Sequence, residues 1–251
     1  MSIPTLSFCI TCKNRFYQVS QTLLQNLDNN RLHKKWIEFI LVDFGSIDGL
    51  QKWVISNFTD DLKSGYLKYY YTDELLFWHS SIAKNTAHWC AGHDIVVNLD
   101  CDNYTGFLGG QYIIRRFLDK NDIVCHQFSG NIPDGSYGRI AILKKFFDSI
   151  GGYDESLGPI FFEDVDLINR LRRIGLEYLL LNDKKYCKTI SNTREESLSN
   201  TGSSHDYYTI NDLNKKKSAK NIKEGRIKAN NGQQGIRQNM FDYRGKLFQV
   251  V

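Results

Sequence analysis

Asp100 and Asp102 stand two residues apart where the apolar run Ile95-Val96-Val97-Asn98-Leu99 gives out. Carboxylates are hard oxygen ligands, and Mg2+ or Mn2+ is usually held by one or two of them together with water and substrate phosphates. Asp is also common in turns, so D-x-D alone leaves both readings open. A second acidic cluster, Glu163, Asp164 and Asp166, follows Phe161-Phe162 and opens a stretch with apolar residues at 165, 167, 168, 171 and 174. Acids there complement the positive end of a helix dipole. A carboxylate in a cleft also serves as a general base toward an attacking hydroxyl within hydrogen-bond reach. Asp43 directly follows Phe39-Ile40-Leu41-Val42 and leads into Gly45-Ser46-Ile47-Asp48-Gly49. An acid so placed accepts hydrogen bonds from a nucleoside, or simply caps a strand-to-helix turn.

These residues need elements to position them. Residues 6–11 read as a buried strand, and apolar positions 19, 23, 24 and 27 form a helical stripe. Strands are expected at 39–42, 66–71 and 95–99, and helices at 50–58 and 81–90. This alternation predicts βαβ units and a mainly parallel sheet, an α/β fold. Ligands of such sheets sit beyond the carboxyl ends of the strands. That rule makes one surface of residues 11–15, 43–48 and 100–102. Further on, 108–118 reads as a helix and 122–125 and 137–143 as extended. Residues 144–150 form a short helix stopped by Gly151-Gly152, followed by a helix at 164–173 and a strand at 177–181. Residues 191–206, rich in Ser, Thr and Asn, read as a loop, and 247–251 as strand-like.

Composition narrows the class. The chain has 251 residues, 41% hydrophobic and 24% charged, which excludes collagen, coiled coil or long-range disorder as overall descriptions. No uncharged apolar run approaches the roughly 20 residues that span a bilayer. The opening MSIPTLSFCIT shows no basic segment followed by an apolar one, so no secretory signal is expected. A net charge of +4 is too mild to define a nucleic-acid binder. The excess is uneven, however: residues 215–228 hold six Lys, one Arg and one Glu. Such a run is a solvated helix face, a positive lid over an anionic ligand, or a patch facing anionic lipid. Cys9 and Cys12 form a lone C-x-x-C with no second pair to complete a zinc site. Their spacing places them on opposite faces of a strand, as small buried hydrophobes of a reducing cytoplasm.

Five blocks in order carry a resemblance. They are Ser7-Phe8-Cys9-Ile10-Thr11-Cys12-Lys13-Asn14-Arg15, then Val42-Asp43-Phe44-Gly45-Ser46-Ile47-Asp48-Gly49, then Ile82-Ala83-Lys84-Asn85-Thr86-Ala87 with Ala91-Gly92-His93-Asp94. Asp100-Cys101-Asp102 follows, and last come Gly151-Gly152-Tyr153-Asp154-Glu155 with Phe162-Glu163-Asp164-Val165-Asp166-Leu167. The set resembles the nucleotide-sugar-dependent glycosyltransferases of family 2, with the GT-A fold, and their relatives the β-1,4-galactosyltransferases. The resemblance implies a central, mainly parallel mixed sheet flanked by helices. It implies an inverting, metal-dependent transfer from a UDP-sugar to a hydroxyl of a glycan or glycolipid. Thr11, Asn14, Arg15 and Asp43 would line the nucleoside pocket, with Lys84 and Asn85 near the diphosphate or ribose. Asp102 would bind Mn2+ or Mg2+, helped by Asp100 and by His205. Asp164 would be the base, and Glu163 or Asp166 would position the acceptor. Arg226 and Lys228 would clamp the diphosphate. Phe44 departs from the pattern, standing where many relatives carry a second Asp.

The resemblance also implies a catalytic domain over 1–206, with a nucleotide-binding half at 1–106 and an acceptor half at 107–206. Residues 207–251 would be a basic extension acting as a lid. A cytoplasmic place at the inner membrane face, touched through that basic segment, follows from the same likeness, and no nucleic-acid partner is expected. The alternative is a binder of anionic surfaces or nucleic acid that uses the 215–228 patch on the same scaffold. A sugar nucleotidylyltransferase or a dinucleotide-dependent dehydrogenase is disfavoured, because no glycine-rich phosphate loop follows the first strand.

Overall fold

A computed structural model describes residues 3–130 and 135–248. The first half alternates as expected: β1 (Leu6–Cys12), α1 (Phe16–Asn30), β2 (Ile37–Asp43), α2 (Leu50–Asn57), α3 (Thr59–Ser64), β3 (Leu67–Tyr71), α4 (Ser80–Trp89) and β4 (Ile95–Asn98). The second half continues with α5 (Gly109–Asp119), β5 (Ile123–Gln127), β6 (Ile140–Leu143), α6 (Lys144–Ser149), α7 (Glu163–Arg173) and β7 (Glu177–Leu181). It closes with α8 (Arg194–Leu198), α9 (Tyr207–Lys223) and β8 (Phe241–Asp242). Leu247 bridges back to Phe241, and the rest of the strand-like stretch, 249–251, lies outside the described residues.

Eight strands form one sheet in the order β7-β5-β6-β4-β1-β2-β3-β8. β1 pairs in parallel with β2 and β4, β2 with β3, and β5 with β7. β6 and β8 run antiparallel to their neighbours. Every residue of β1 and β2 is buried, which requires covered faces on both sides of the sheet. One core holds Phe8, Ile10 and Cys12 with Leu23 of α1, Val54 of α2 and Phe117 of α5. The other holds Cys9 and Val96 with Ala83 of α4, Phe147 of α6 and Leu171 of α7. Cys9 and Cys12 thus face opposite layers, as period-two alternation requires. All six cysteines are free thiols.

The strands of the first half end on one edge, so their turns converge. The loop 191–206 is not uniform. Thr193 caps α8 by accepting from the Glu196 amide, and Glu196 returns the bond to the Thr193 amide. T-x-x-E is the capping-box pattern, and it outweighs the polar composition that reads as loop. The segment after 207 packs into the body. Ile210, Asn214 and Ser218 of α9 are buried, Met240 is fully buried, and β8 joins the sheet beside β3.

Candidate active site

A cleft of about 800 Å3 opens beyond the carboxyl ends of β1 and β4. Thr11, Lys13 and Arg15 line it from the turn after β1. The Lys13 ammonium donates to the Phe44 and Leu75 carbonyls at 2.7 and 3.0 Å, tying three loops together. Arg15 donates to Asn192 Oδ1 at 3.0 Å and to the Glu196 carbonyl at 2.5 Å. Asn14 does not line the cleft. Its side chain accepts from the Ile47 amide at 3.0 Å, and its own amide donates to Ser46. Asp43, expected in the nucleoside pocket, is fully buried beneath the turn. It accepts from the Ser46 amide at 2.8 Å and from the Tyr69 hydroxyl at 2.7 Å. Burial pushes its carboxyl above the usual range, against the pull of those two donors. Phe44 is buried and meets Trp78 edge-on, with ring centroids 6.0 Å apart.

Asp100 and Asp102 enter the cleft from the end of β4. Asn98 holds Asp100 at 3.0 Å and also donates to the Gly138 carbonyl at 2.9 Å. Amides cover Asp102 from two sides, Asn103 at 2.5 Å and Asn192 on the other oxygen. Burial, with the charge of Asp100 beside it, pushes the Asp102 carboxyl up to about 6. Two neighbouring carboxylates fit a hard divalent cation, completed by substrate oxygens and water. Among the described residues no group of three or more His, Cys, Asp or Glu converges to hold an ion alone. His205 does not join Asp102. It lies exposed in the turn before α9, outside the cleft lining, with its amide on Ser203.

Glu163 and Asp164 begin α7 and face the same cleft. The two residues before them, Phe161 and Phe162, have φ values of 70° and 72°. Left-handed backbone costs an L-residue roughly 1–2 kcal/mol. Asn214 of α9 holds the loop by donating to the Ile160 and Phe161 carbonyls at 3.1 and 2.8 Å. Lys84, on α4, bridges the acids at 2.8 Å from Glu163 Oε1 and 2.8 and 2.9 Å from the two Asp164 oxygens. Burial disfavours the ammonium, but the carboxylates of Asp164 and Glu163 outweigh it and keep Lys84 charged. Burial pushes Asp164 up to about 7, with Lys84 opposing and Glu163 and Asp100 adding to the rise. Glu163 Oε2 is buried and makes no hydrogen bond. A Cβ on Gly138 would stand 2.6 Å from Asp100 Oδ2 and 3.3 Å from Asp164 Oδ2. Glycine at 138 is therefore what lets the two acids share this space.

Four other expected residues are held elsewhere. Asn85 is fully buried and exchanges hydrogen bonds with the Tyr153 backbone and Glu155, so it locks the Gly-Gly-Tyr-Asp-Glu loop. Asp166 is fully buried beneath the helix, paired with Arg170 at 2.6 Å and with Ser218 at 2.7 Å. Helical spacing explains this in part, because position 166 lies on the same stripe as 170 and nearly opposite 164. Arg226 is exposed and paired with Glu224 and Asn221. Lys228 borders a separate shallow groove with Phe146 and Ile174. α9 starts at the cleft and runs 17 residues, about 25 Å at 1.5 Å each, which carries both cations away from it. Removing one partner of a buried ion pair costs about 3–5 kcal/mol. Asp166→Ala should therefore lower stability by that amount in a urea titration, and an unchanged midpoint would refute the structural role.

The cleft is also lined by residues that sequence reasoning passed over, Asn192, Arg194, Tyr207 and Asn211, and by Lys215 at the start of the basic run. The i, i+4, i+8 spacing of Tyr207, Asn211 and Lys215 is a legible helix stripe. Gly138 leaves no sequence signal, because its role is the absence of a side chain.

The fold is of the GT-A type. Similar solved structures include the mannosyltransferase PcManGT from Pyrobaculum calidifontis, in complex with GDP-Man and Mn2+. It is 16% identical, with a TM-score of 0.60, over 73% of this chain and 56% of that one. S. aureus TarS 1-349 in complex with UDP-GlcNAc is 16% identical, with a TM-score of 0.62, over 82% of this chain and 64% of that one. The chain thus spans less than two thirds of either relative's length. No family model and no curated protein matches the sequence.

Proposed function

We propose that this chain transfers a sugar from a UDP-sugar to a hydroxyl of a glycan or glycolipid, with inversion at the anomeric carbon. One observation carries the reading: Asp100 and Asp102 from the end of β4, and Glu163 and Asp164 from the start of α7, line a single cleft. The nucleotide-sugar complexes of the two similar structures support it. Asp102, with Asp100, would hold Mn2+ or Mg2+. That cation, when bound, would neutralise charge gathering on the diphosphate leaving group. The chain's own residues do the rest. Thr11 and Arg15 border the donor side. Asp164 takes the proton of the acceptor hydroxyl, and Glu163 beside it positions the acceptor. Lys84 holds both carboxylates in place beforehand, which spares reorganisation during the reaction. Holding donor and acceptor together removes up to roughly 7–11 kcal/mol of entropic barrier in ideal geometry.

Thermal shift with UDP, GDP and CDP, each with Mn2+ or EDTA, tests the donor. At 100 times Kd a ligand stabilises by about 2.7 kcal/mol. For this chain length that is about 5–10 °C. UDP should give the shift with Mn2+ and lose it in EDTA. A shift with GDP or CDP instead would change the donor, and no shift with any nucleotide would sink the transferase reading.

A further inference from the structure

We propose that the acceptor is a phosphorylated sugar, and that Arg194 and Lys215 receive its phosphate on the cleft wall built by α7, α8 and α9. This rests on the transferase reading above and names the acceptor class. α9 is not a loose basic tail. Its buried stripe anchors it to the acidic helix: Asn214 accepts from the Gly158 amide at 2.6 Å and donates to the Phe161 carbonyl, and Ser218 bonds Asp166. The parallel stripe, Tyr207, Asn211 and Lys215, lines the cleft. Of the three consecutive lysines, Lys216 pairs with Asp212 at 2.6 Å and Lys217 bonds the Ser156 carbonyl. Lys215 alone of the three lines the cleft, and it makes no ion pair among the described residues.

Aromatic rings line the same cleft. The Tyr207 ring lies 4.6 Å from the Phe161 ring, and the Arg194 guanidinium sits 4.3 Å over the Tyr207 ring. Arg194 also donates to the Tyr208 hydroxyl at 2.8 Å, which fixes the plane of its fork. Aromatic rings offer a flat apolar surface for the carbon face of a sugar. The other cations of the cleft are already engaged: Lys84 by Glu163 and Asp164, Lys13 by carbonyls, and Arg15 by Asn192 beside the donor wall. Arg194, with one N–H on Tyr208 and the rest of its fork open, and Lys215 stand on the acceptor wall, and an arginine fork with a lysine matches a phosphate.

Ligand-observed NMR on the full chain saturated with UDP and Mn2+ tests this, with glucose 6-phosphate and glucose as paired probes. A second arm uses vesicles of phosphatidylcholine with and without phosphatidic acid. Charge-assisted bonds to a phosphate predict at least about tenfold tighter binding of the phosphorylated probe. The double variant R194Q/K215Q should abolish that preference and leave UDP–Mn2+ affinity unchanged. Preference confined to the soluble probe assigns the phosphate to a free glycan. Preference confined to the phosphatidic acid vesicles, and lost in the double variant, assigns it to a lipid headgroup. Equal binding of charged and neutral probes in both arms overturns the proposal. So does a double variant that weakens UDP–Mn2+ instead, since the two cations would then serve the donor. Failure of wild type to bind UDP–Mn2+ at all would remove the transferase reading, and this inference with it.

Discussion

Asp164→Asn should fold, bind UDP with Mn2+, and transfer sugar about 10²–10⁴ times more slowly than wild type, the range a general base contributes. The amide keeps the shape of the carboxyl and one acceptor atom for Lys84, which retains Glu163 at 2.8 Å. What is lost is the capacity to take a proton. The pH profile separates this from mere misplacement. Burial, against Lys84, puts the Asp164 carboxyl near 7, so a growing share of the protein holds it protonated and inactive as pH falls below that. Wild-type kcat should therefore drop about tenfold per pH unit on the acid side, and the residual activity of the variant should lack that limb. Normal turnover by Asp164→Asn would refute the assignment.

Asp102→Ala should erase the Mn2+-dependent part of the UDP thermal shift, about 5–10 °C in wild type at 100 times Kd. The same carboxyl gives the effect a pH sign. In the unfolded chain it ionises near its ordinary 3.8, but burial and Asp100 raise it to about 6 in the folded one. The folded state thus binds more protons between those values, and this group's contribution to stability declines as pH rises through that window. A cation on the carboxylate competes with the proton. The Mn2+ shift should be full at pH 7.5 and about half as large at pH 5, where the proton weakens the cation roughly tenfold. A full shift at pH 5, or in Asp102→Ala, would place the metal elsewhere.

Much of this was legible in the residues. The alternation of strand and helix patterns fixed the order of β1 to β4, and the ends of those strands marked the cleft. Asp100, Asp102, Glu163 and Asp164 are conspicuous in sequence as acids at such ends, and all four line the cleft. What letters could not show is which way an acid faces. In sequence, Asp43 looks as fit to meet a nucleoside, and Asp166 an acceptor, as their neighbours do. Their fates are decided by Tyr69 on the adjacent strand and by Ser218, 52 positions further along. Asn85, which the resemblance puts near the diphosphate or ribose, has its amide on the loop at Tyr153. The basic run misled in a different way: its charge was visible, but the helix that carries most of it away from the cleft was not.

The pairing of β8 with β3 sets a timetable for synthesis. β3 carries Leu67-Lys68-Tyr69-Tyr70-Tyr71, and its outer side is covered where Tyr70 and Tyr71 meet Asp242 and Phe241. About 170 residues separate the two strands, so at 5–20 residues per second the ribosome delivers the cover roughly 10–30 seconds after the strand. Through that interval a nascent chain shows a tyrosine-rich edge with unpaired amides, the kind of surface on which chains join one another. Yield of the folded protein should then depend on how fast the segment carrying β8 follows.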